Sequence, residues 1–248
     1  MAGHNKWSKI KRKKGVADAR RSKVWARITR DVMVAAREGG GDVAMNPKLA
    51  LSVDKAKAEN MPKDNVERAI KRGTGEIEGA EYEEVTYEGY GPGGVAIFVE
   101  TLTDNTNRTV ADVRHAFSKA GGSLGKSGSV AYLFERKGVI EVPSDGQDEL
   151  TLFELVAEAG ADDMVDVDGA FVITTPVEAF DAVQTALETA GVDVREASLM
   201  RTPTTTVTLD ETDTRKVMNL VERLEDLQDV QAVYTALEVE GEAFAAVS

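Results

Sequence analysis

The sequence predicts an α+β multidomain protein: an N-terminal three-helix bundle followed by two ferredoxin-like α/β sandwich domains, one inserted in the other. Three observations carry this. Residues 1–80 place apolar side chains at helical spacing, interrupted twice by Asn-Pro or Met-Pro and closed by glycine. From residue 82 short β-branched runs alternate with helical patterns. The order β-α-β-β-α-β then reads once over the middle of the chain and again over the two stretches that flank it. The expected domains are 1–80, 81–134 joined to 203–248, and 135–202.

The first helix opens at Gly15 or Asp18, runs to Arg37 and stops at Gly39-Gly40-Gly41. At about 100° per residue, Val24, Trp25, Ile28, Val32, Ala35 and Ala36 fall in an arc of about 120°. Arg20, Lys23, Arg27, Arg30 and Arg37 fall in a second arc of about 100°, roughly opposite. Val34 lands among these cations and Arg21 among the apolar residues, so the two faces are imperfectly separated. Asn46-Pro47 caps a second helix with an apolar stripe of Leu49, Val53 and Ala56. Met61-Pro62 starts a third, carrying Val66, Ala69 and Ile70; Lys71 and Arg72 suit its last turn and Gly73 ends it.

Beyond residue 82, strands are expected at Val95–Val99 and Val130–Phe134 around a helix at Thr106–Lys119. The middle stretch reads as strand Gly138–Val142, helix Glu149–Ala159, strands Met164–Val167 and Ala170–Thr174, helix Val177–Ala190 and strand Val192–Met200. Asp168-Gly169 supplies the hairpin turn of its central strand pair. Strand Thr205–Leu209, helix Glu211–Glu225 and strand Val230–Ala236 complete the flanking unit.

Charge is sharply polarised. Twelve of the first 37 residues are Lys or Arg against Asp18 and Asp31, a net of +10 in a chain of −13. Residues 74–248 carry a net of −24, which reads as solubility or adaptation to a salty cytoplasm, and as repulsion of polyanions within a Debye length. One end of such a chain seeks polyanions and the body repels them. No apolar run approaches a membrane span, and no apolar segment follows the first charges, so neither a membrane partner nor a secretory signal is expected. With no cysteine, a cytoplasmic location fits.

The leading segment interleaves Trp7 with Lys6, Lys9, Lys11, Arg12, Lys13 and Lys14. Cations neutralise phosphates while an indole stacks on an unpaired base. Arg20, Lys23, Arg27 and Arg30 extend the same cationic surface, bordered by Lys48, Lys55, Lys63, Lys71 and Arg72. The residues do not distinguish DNA from ribosomal RNA. Thr103–Thr109 joins a strand to a helix and offers Asn105 and Arg108 to a phosphate or base; ordinary capping by Asp104 or Thr106 accounts for it equally well.

Other motifs lack their context. Gly89–Gly94 satisfies G-x-G-x-x-G but leads into a strand, and Pro92 removes an amide. Ala120–Ser127 resembles a relaxed phosphate loop but follows a helix instead of opening one, so a phosphate-binding enzyme is a poor reading. His4 and His115 stand apart, Asp162-Asp163 and Glu83-Glu84 look like solvated surface, and Ser127 and Ser129 have no base beside them. No catalytic residue, metal, cofactor or small-molecule substrate is expected.

Several long motifs occur in order: Met1–Lys11, Gly39–Asp42, Asn60–Asp64, Glu67–Gly73, Tyr87–Gly94, Thr103–Thr109 and Gly128–Phe134. Together they resemble the YebC/PmpR family, whose relatives include a mitochondrial translational activator of cytochrome c oxidase. The resemblance implies a helical N-terminal bundle, two α/β domains and one of two roles. The first is that of a DNA-binding transcriptional regulator. The alternative is a ribosome-associated translation factor that binds ribosomal RNA and relieves stalling on proline-rich nascent chains.

Overall fold

Helix α1 (Ala17–Gly39) lays its apolar arc on α2 (Pro47–Ala58) and α3 (Lys63–Gly73). Ile28, Val32, Ala35 and Ala36 are buried against Leu49, Ala56, Met61, Val66 and Ala69, with Val24 and Trp25 at the rim. The computed structural model describes residues 17–78, 81–167 and 169–239, with side chains from Lys23 onward. Asn46 ties two helices together. Its Oδ1 accepts from Leu49 N at 3.1 Å, capping α2, while Nδ2 donates to the carbonyls of Ala35 (2.8 Å) and Gly40 (2.9 Å) at the end of α1. Helix α3 crosses α1 at Gly73, where a Cβ would lie 2.3 Å from the Met33 carbonyl oxygen, so only glycine allows this approach.

Two four-stranded antiparallel sheets follow. The first has the order β3-β1-β2-β9, from β1 (Glu83–Tyr90), β2 (Ala96–Thr103), β3 (Ser123–Leu124) and β9 (Val230–Thr235). Helices α4 (Thr106–Lys119) and α7 (Glu211–Glu225) share its core, in which Ile97, Val113, Phe117, Leu220 and Leu224 are buried. The second sheet has the order β5-β6-β4-β7, from β4 (Phe134–Pro143), β5 (Asp163–Asp166), β6 (Ala170–Thr175) and β7 (Glu196–Pro203). It is covered by α5 (Glu149–Glu158) and α6 (Phe180–Thr189) around Ile140, Leu152, Val156, Val183 and Leu187. Its chain order is the β-α-β-β-α-β that the sequence predicts, and it lies in sequence between β3 and α7.

The first sheet reaches a ferredoxin-like arrangement by a different route. Residues 130–134 do not form the expected strand: Ala131–Leu133 is a 3-10 turn leading into β4. The central position is filled by β1, which precedes β2 and pairs with it over all eight residues as a hairpin. The expected strand at Thr205–Leu209 shrinks to β8 (Val207–Thr208), paired in parallel with β10 (Leu237–Glu238).

The two sheets meet. The face of the first that carries Phe98, Glu100 and Tyr234 is covered by Phe134 and Arg201 of the second. The phenyl centroids lie 6.0 Å apart, and the Arg201 guanidinium sits 4.4 Å over the Phe98 ring. Arg201 Nε also donates to Glu100 Oε1 at 2.8 Å, and Tyr234 OH to Glu100 Oε2 at 3.1 Å. Four-stranded sheets that read single-stranded RNA stack bases on this face. Here it is filled.

Candidate nucleic-acid interface

The cationic arc of α1 is divided. Lys6, Trp7, Lys9, Lys11, Arg12, Lys13 and Lys14 lie outside the described residues, as does the Arg20 side chain, although Arg20 itself belongs to α1. Lys23, Arg27 and Arg30, one stripe at i, i+4 and i+7, turn toward the loop between α7 and β9. Lys23 Nζ is 2.6 Å from Asp226 Oδ1; Arg27 donates to the Glu225 carbonyl and Arg30 to the Gln228 carbonyl. The carbonyls that end a helix carry partial negative charge, so α7 presents an anionic tip to these side chains. Arg30 is only 4% exposed, which takes it out of reach of a phosphate while this contact holds. Arg37 donates to the Tyr82 carbonyl at 2.7 Å.

The Thr103–Thr109 cluster is also engaged internally. Asn105 caps α4, its Oδ1 accepting from Arg108 N at 3.0 Å; neither Asp104 nor Thr106 does so. The Asp229 carboxylate is buried, and Arg108 donates to its Oδ2 from Nε (3.2 Å) and a terminal nitrogen (2.7 Å). The hydroxyls of Thr103 and Thr109 lie 3.2 and 2.7 Å from the same oxygen, and Arg108 reaches Asp104 at 2.8 Å. Burial alone would push the Asp229 carboxyl up, but these donors outweigh it and hold it below the usual carboxylate range. The cluster that offers Asn105 and Arg108 to a phosphate in the sequence therefore clamps the start of α4 to the loop before β9.

Glu88 does the same for the loop after β3. It is 4% exposed, and its carboxylate accepts from the amides of Gly128, Val130 and Ala131, each at 2.7 Å. These amides could otherwise cradle an anion or extend a strand; an internal carboxylate occupies them. Desolvation pushes the Glu88 carboxyl up, but the three amides, with the charge of Arg201, outweigh it and hold it below its ordinary value. The Gly89–Gly94 run makes the β1–β2 turn, with Gly93 and Gly94 at φ of 69° and 76° and Gly91 N donating to the Val95 carbonyl at 2.8 Å.

What stays open to solvent is the outer face of the bundle. Lys55, Arg68, Lys71 and Arg72 are exposed and form no ion pair with another described residue. Lys63 reaches Glu67 at 3.5 Å and Lys48 bridges Glu38 and Glu84. Between Lys48, Lys55 and Arg30, burial pushes the Asp31 carboxyl up to about 6 despite these cations. Residues 138–194, by contrast, hold fourteen carboxylates and no Lys or Arg. Among the described residues no three His, Asp or Glu side chains converge as a metal site.

Comparison with known proteins bears on the part of this surface that the geometry leaves open. A family model described as the TACO1/YebC N-terminal domain matches residues 5–76, and one described as the TACO1/YebC second and third domain matches residues 82–237. The chain belongs to the TACO1/YebC family. TACO1/YebC relatives include a "Probable transcriptional regulatory protein" of Salinibacter ruber, 54% identical over 97% of this chain and 94% of the relative. Another of that name, from Persephonella marina, is 52% identical over the whole of both chains. A crystal structure of a conserved hypothetical protein from Aquifex aeolicus superposes with a TM-score of 0.82 at 46% identity, covering 90% of this chain and 93% of that one. The TACO1/YebC N-terminal match spans the whole cationic run Lys6–Lys14.

Sequence reasoning missed Glu88 and Asp229, the two buried carboxylates that organise these loops. A signal for the covered stripe was present: Val34, an apolar residue among the cations, is 4% exposed. Its position implies that the cationic side of α1 also faces protein.

Proposed function

We propose that this TACO1/YebC protein is a non-enzymatic, cytoplasmic nucleic-acid-binding regulator of gene expression, acting on DNA as a transcriptional regulator. The observation that carries the reading is the charge asymmetry, a net of +10 over residues 1–37 against a strongly acidic remainder. The names of its relatives favour transcription. In this reading Lys6, Lys9, Lys11, Arg12, Lys13, Lys14 and Arg20 grip phosphates, Trp7 stacks, and the exposed Arg68, Lys71 and Arg72 border the track. Residues 1–80 form the nucleic-acid-binding domain; 81–134 with 203–248, and the inserted 135–202, serve as its scaffold.

The test removes residues 1–14 and measures attachment to duplex DNA, to ribosomal RNA and to ribosomes at moderate salt. Loss of duplex binding with an intact fold supports the reading. Undiminished attachment to every probe refutes it. Binding that is confined to ribosomes moves the function to translation.

A further inference from the structure

We infer that Lys23, Arg27 and Arg30 form a covered extension of the phosphate-binding track, held shut by the loop at the end of α7 and released to a bound polyanion. This rests on the reading proposed above and concerns the regulation of that same surface.

Three observations support it. The stripe continues the helical spacing of Arg20 along α1, at i+3, i+7 and i+10, and follows the leading cations in sequence, so a phosphate backbone that reaches Arg20 meets Lys23 next. Its present partners are oxygen atoms of the kind a phosphate would supply: the Glu225 carbonyl that ends α7, the Gln228 carbonyl in the loop after it, and the Asp226 carboxylate. The contact is also incomplete. Arg30 is buried, yet its Nε has no hydrogen-bond partner. A guanidinium is a planar fork that two oxygens of one phosphate satisfy together, which a single carbonyl does not. The remaining tie, Lys23 to Asp226, joins side chains 53% and 65% exposed, a pairing that salt and competing anions weaken readily.

A loop of acidic residues and carbonyls thus competes with nucleic acid for the same three side chains. Weakly held polyanions leave the stripe covered. Those bound firmly by the leading segment displace the loop and gain further contacts.

The absence of cysteine from the chain makes the opening directly measurable. Ala26→Cys and Glu222→Cys, both at exposed positions on the facing helices, take spin labels in the full-length protein. The expected result is that the label distance lengthens when duplex DNA is added. In parallel, Arg27→Gln with Arg30→Gln should make the salt dependence of duplex binding shallower by about 1.8, at about 0.9 for each lost phosphate contact. Both changes are required. A distance that stays fixed in the DNA complex overturns the inference, and so does an unchanged slope in the double variant. The distance measurement leaves both arginines in place, so it remains decisive if the double variant folds poorly. If the unaltered chain binds neither duplex DNA nor RNA, the functional reading itself fails and this inference falls with it.

Discussion

Replacing Glu88 with Gln should loosen the loop that follows β3 without disturbing the surface. Val130 N and Ala131 N both lie 2.7 Å from Oε2, and Gly128 N lies 2.7 Å from Oε1. The Gln carbonyl can keep the first two amides. Its NH2 group then faces Gly128 N, donor against donor. One charge-assisted bond is lost and one amide is left unpaired, a cost of about 2–3 kcal/mol. For a chain of this size that corresponds to a fall of about 4–12 °C in the midpoint of the transition that melts the first sheet. The assay is thermal unfolding at neutral pH, with hydrogen exchange at Gly128, Val130 and Ala131 to localise the change. The pH dependence has a definite sign. The folded pKa of Glu88 lies below its ordinary 4.5, so its contribution is present above that value and lost as pH falls through the lowered one. Wild type and variant should therefore converge in acid. An unchanged midpoint at neutral pH, or a deficit that persists in acid, would refute the reasoning.

Asp31→Asn should act in the opposite sense. Because burial raises the carboxyl from 3.8 to about 6, the folded state binds the proton more tightly and stability falls as pH rises through that window. The Asn variant should be the more stable above pH 6, by up to about 3 kcal/mol, with the gain disappearing below pH 4; denaturant titrations at both ends check it. Arg108→Ala leaves the Asp229 carboxylate buried with two hydroxyl donors, and should cost about 1–3 kcal/mol after allowance for the half-exposed guanidinium. Its salt slope on duplex DNA should not change; a loss of about 0.9 would place Arg108 on a phosphate. Gly73→Ala drives a methyl into the Met33 carbonyl and the Ala36 side chain, and should destabilise the helical bundle by about 1–3 kcal/mol in thermal melts.

The elements that were readable in advance are those with local signatures. Asn46-Pro47 starts α2, Gly73 ends α3, and the apolar arc of α1 is the buried one. Strand β1 escaped notice because Glu83, Glu84, Glu88 and Gly89 disfavour a strand by composition, and nothing nearby reveals that Glu88 points at the amides of a loop forty residues on. The same carboxylate explains why Val130–Phe134, apolar and β-branched enough for a strand, turns instead: two of its amides are already committed. At the candidate interface the division of the cations was illegible for a related reason. Lys23 meets a residue 203 positions away, and Arg27 and Arg30 meet carbonyls 198 positions away. Side-chain type announces a cation; only the tertiary fold says which oxygen it finds.

Phe134 and Pro203 are direct partners across β4 and β7, so the chain leaves for its second sheet and returns at neighbouring points. Strands paired in this way hold their backbones about 5 Å apart. Once the second sheet has formed, the tether between β2 and β9 is roughly halved in effective length, which reduces the entropic cost of closing it by about 0.6 kcal/mol. The outer edge of β2 stays unpaired until residues 230–235 arrive, and the intervening unit brings them close. The insertion thus works as a clasp on the polymer, shortening the search that completes the sheet it interrupts.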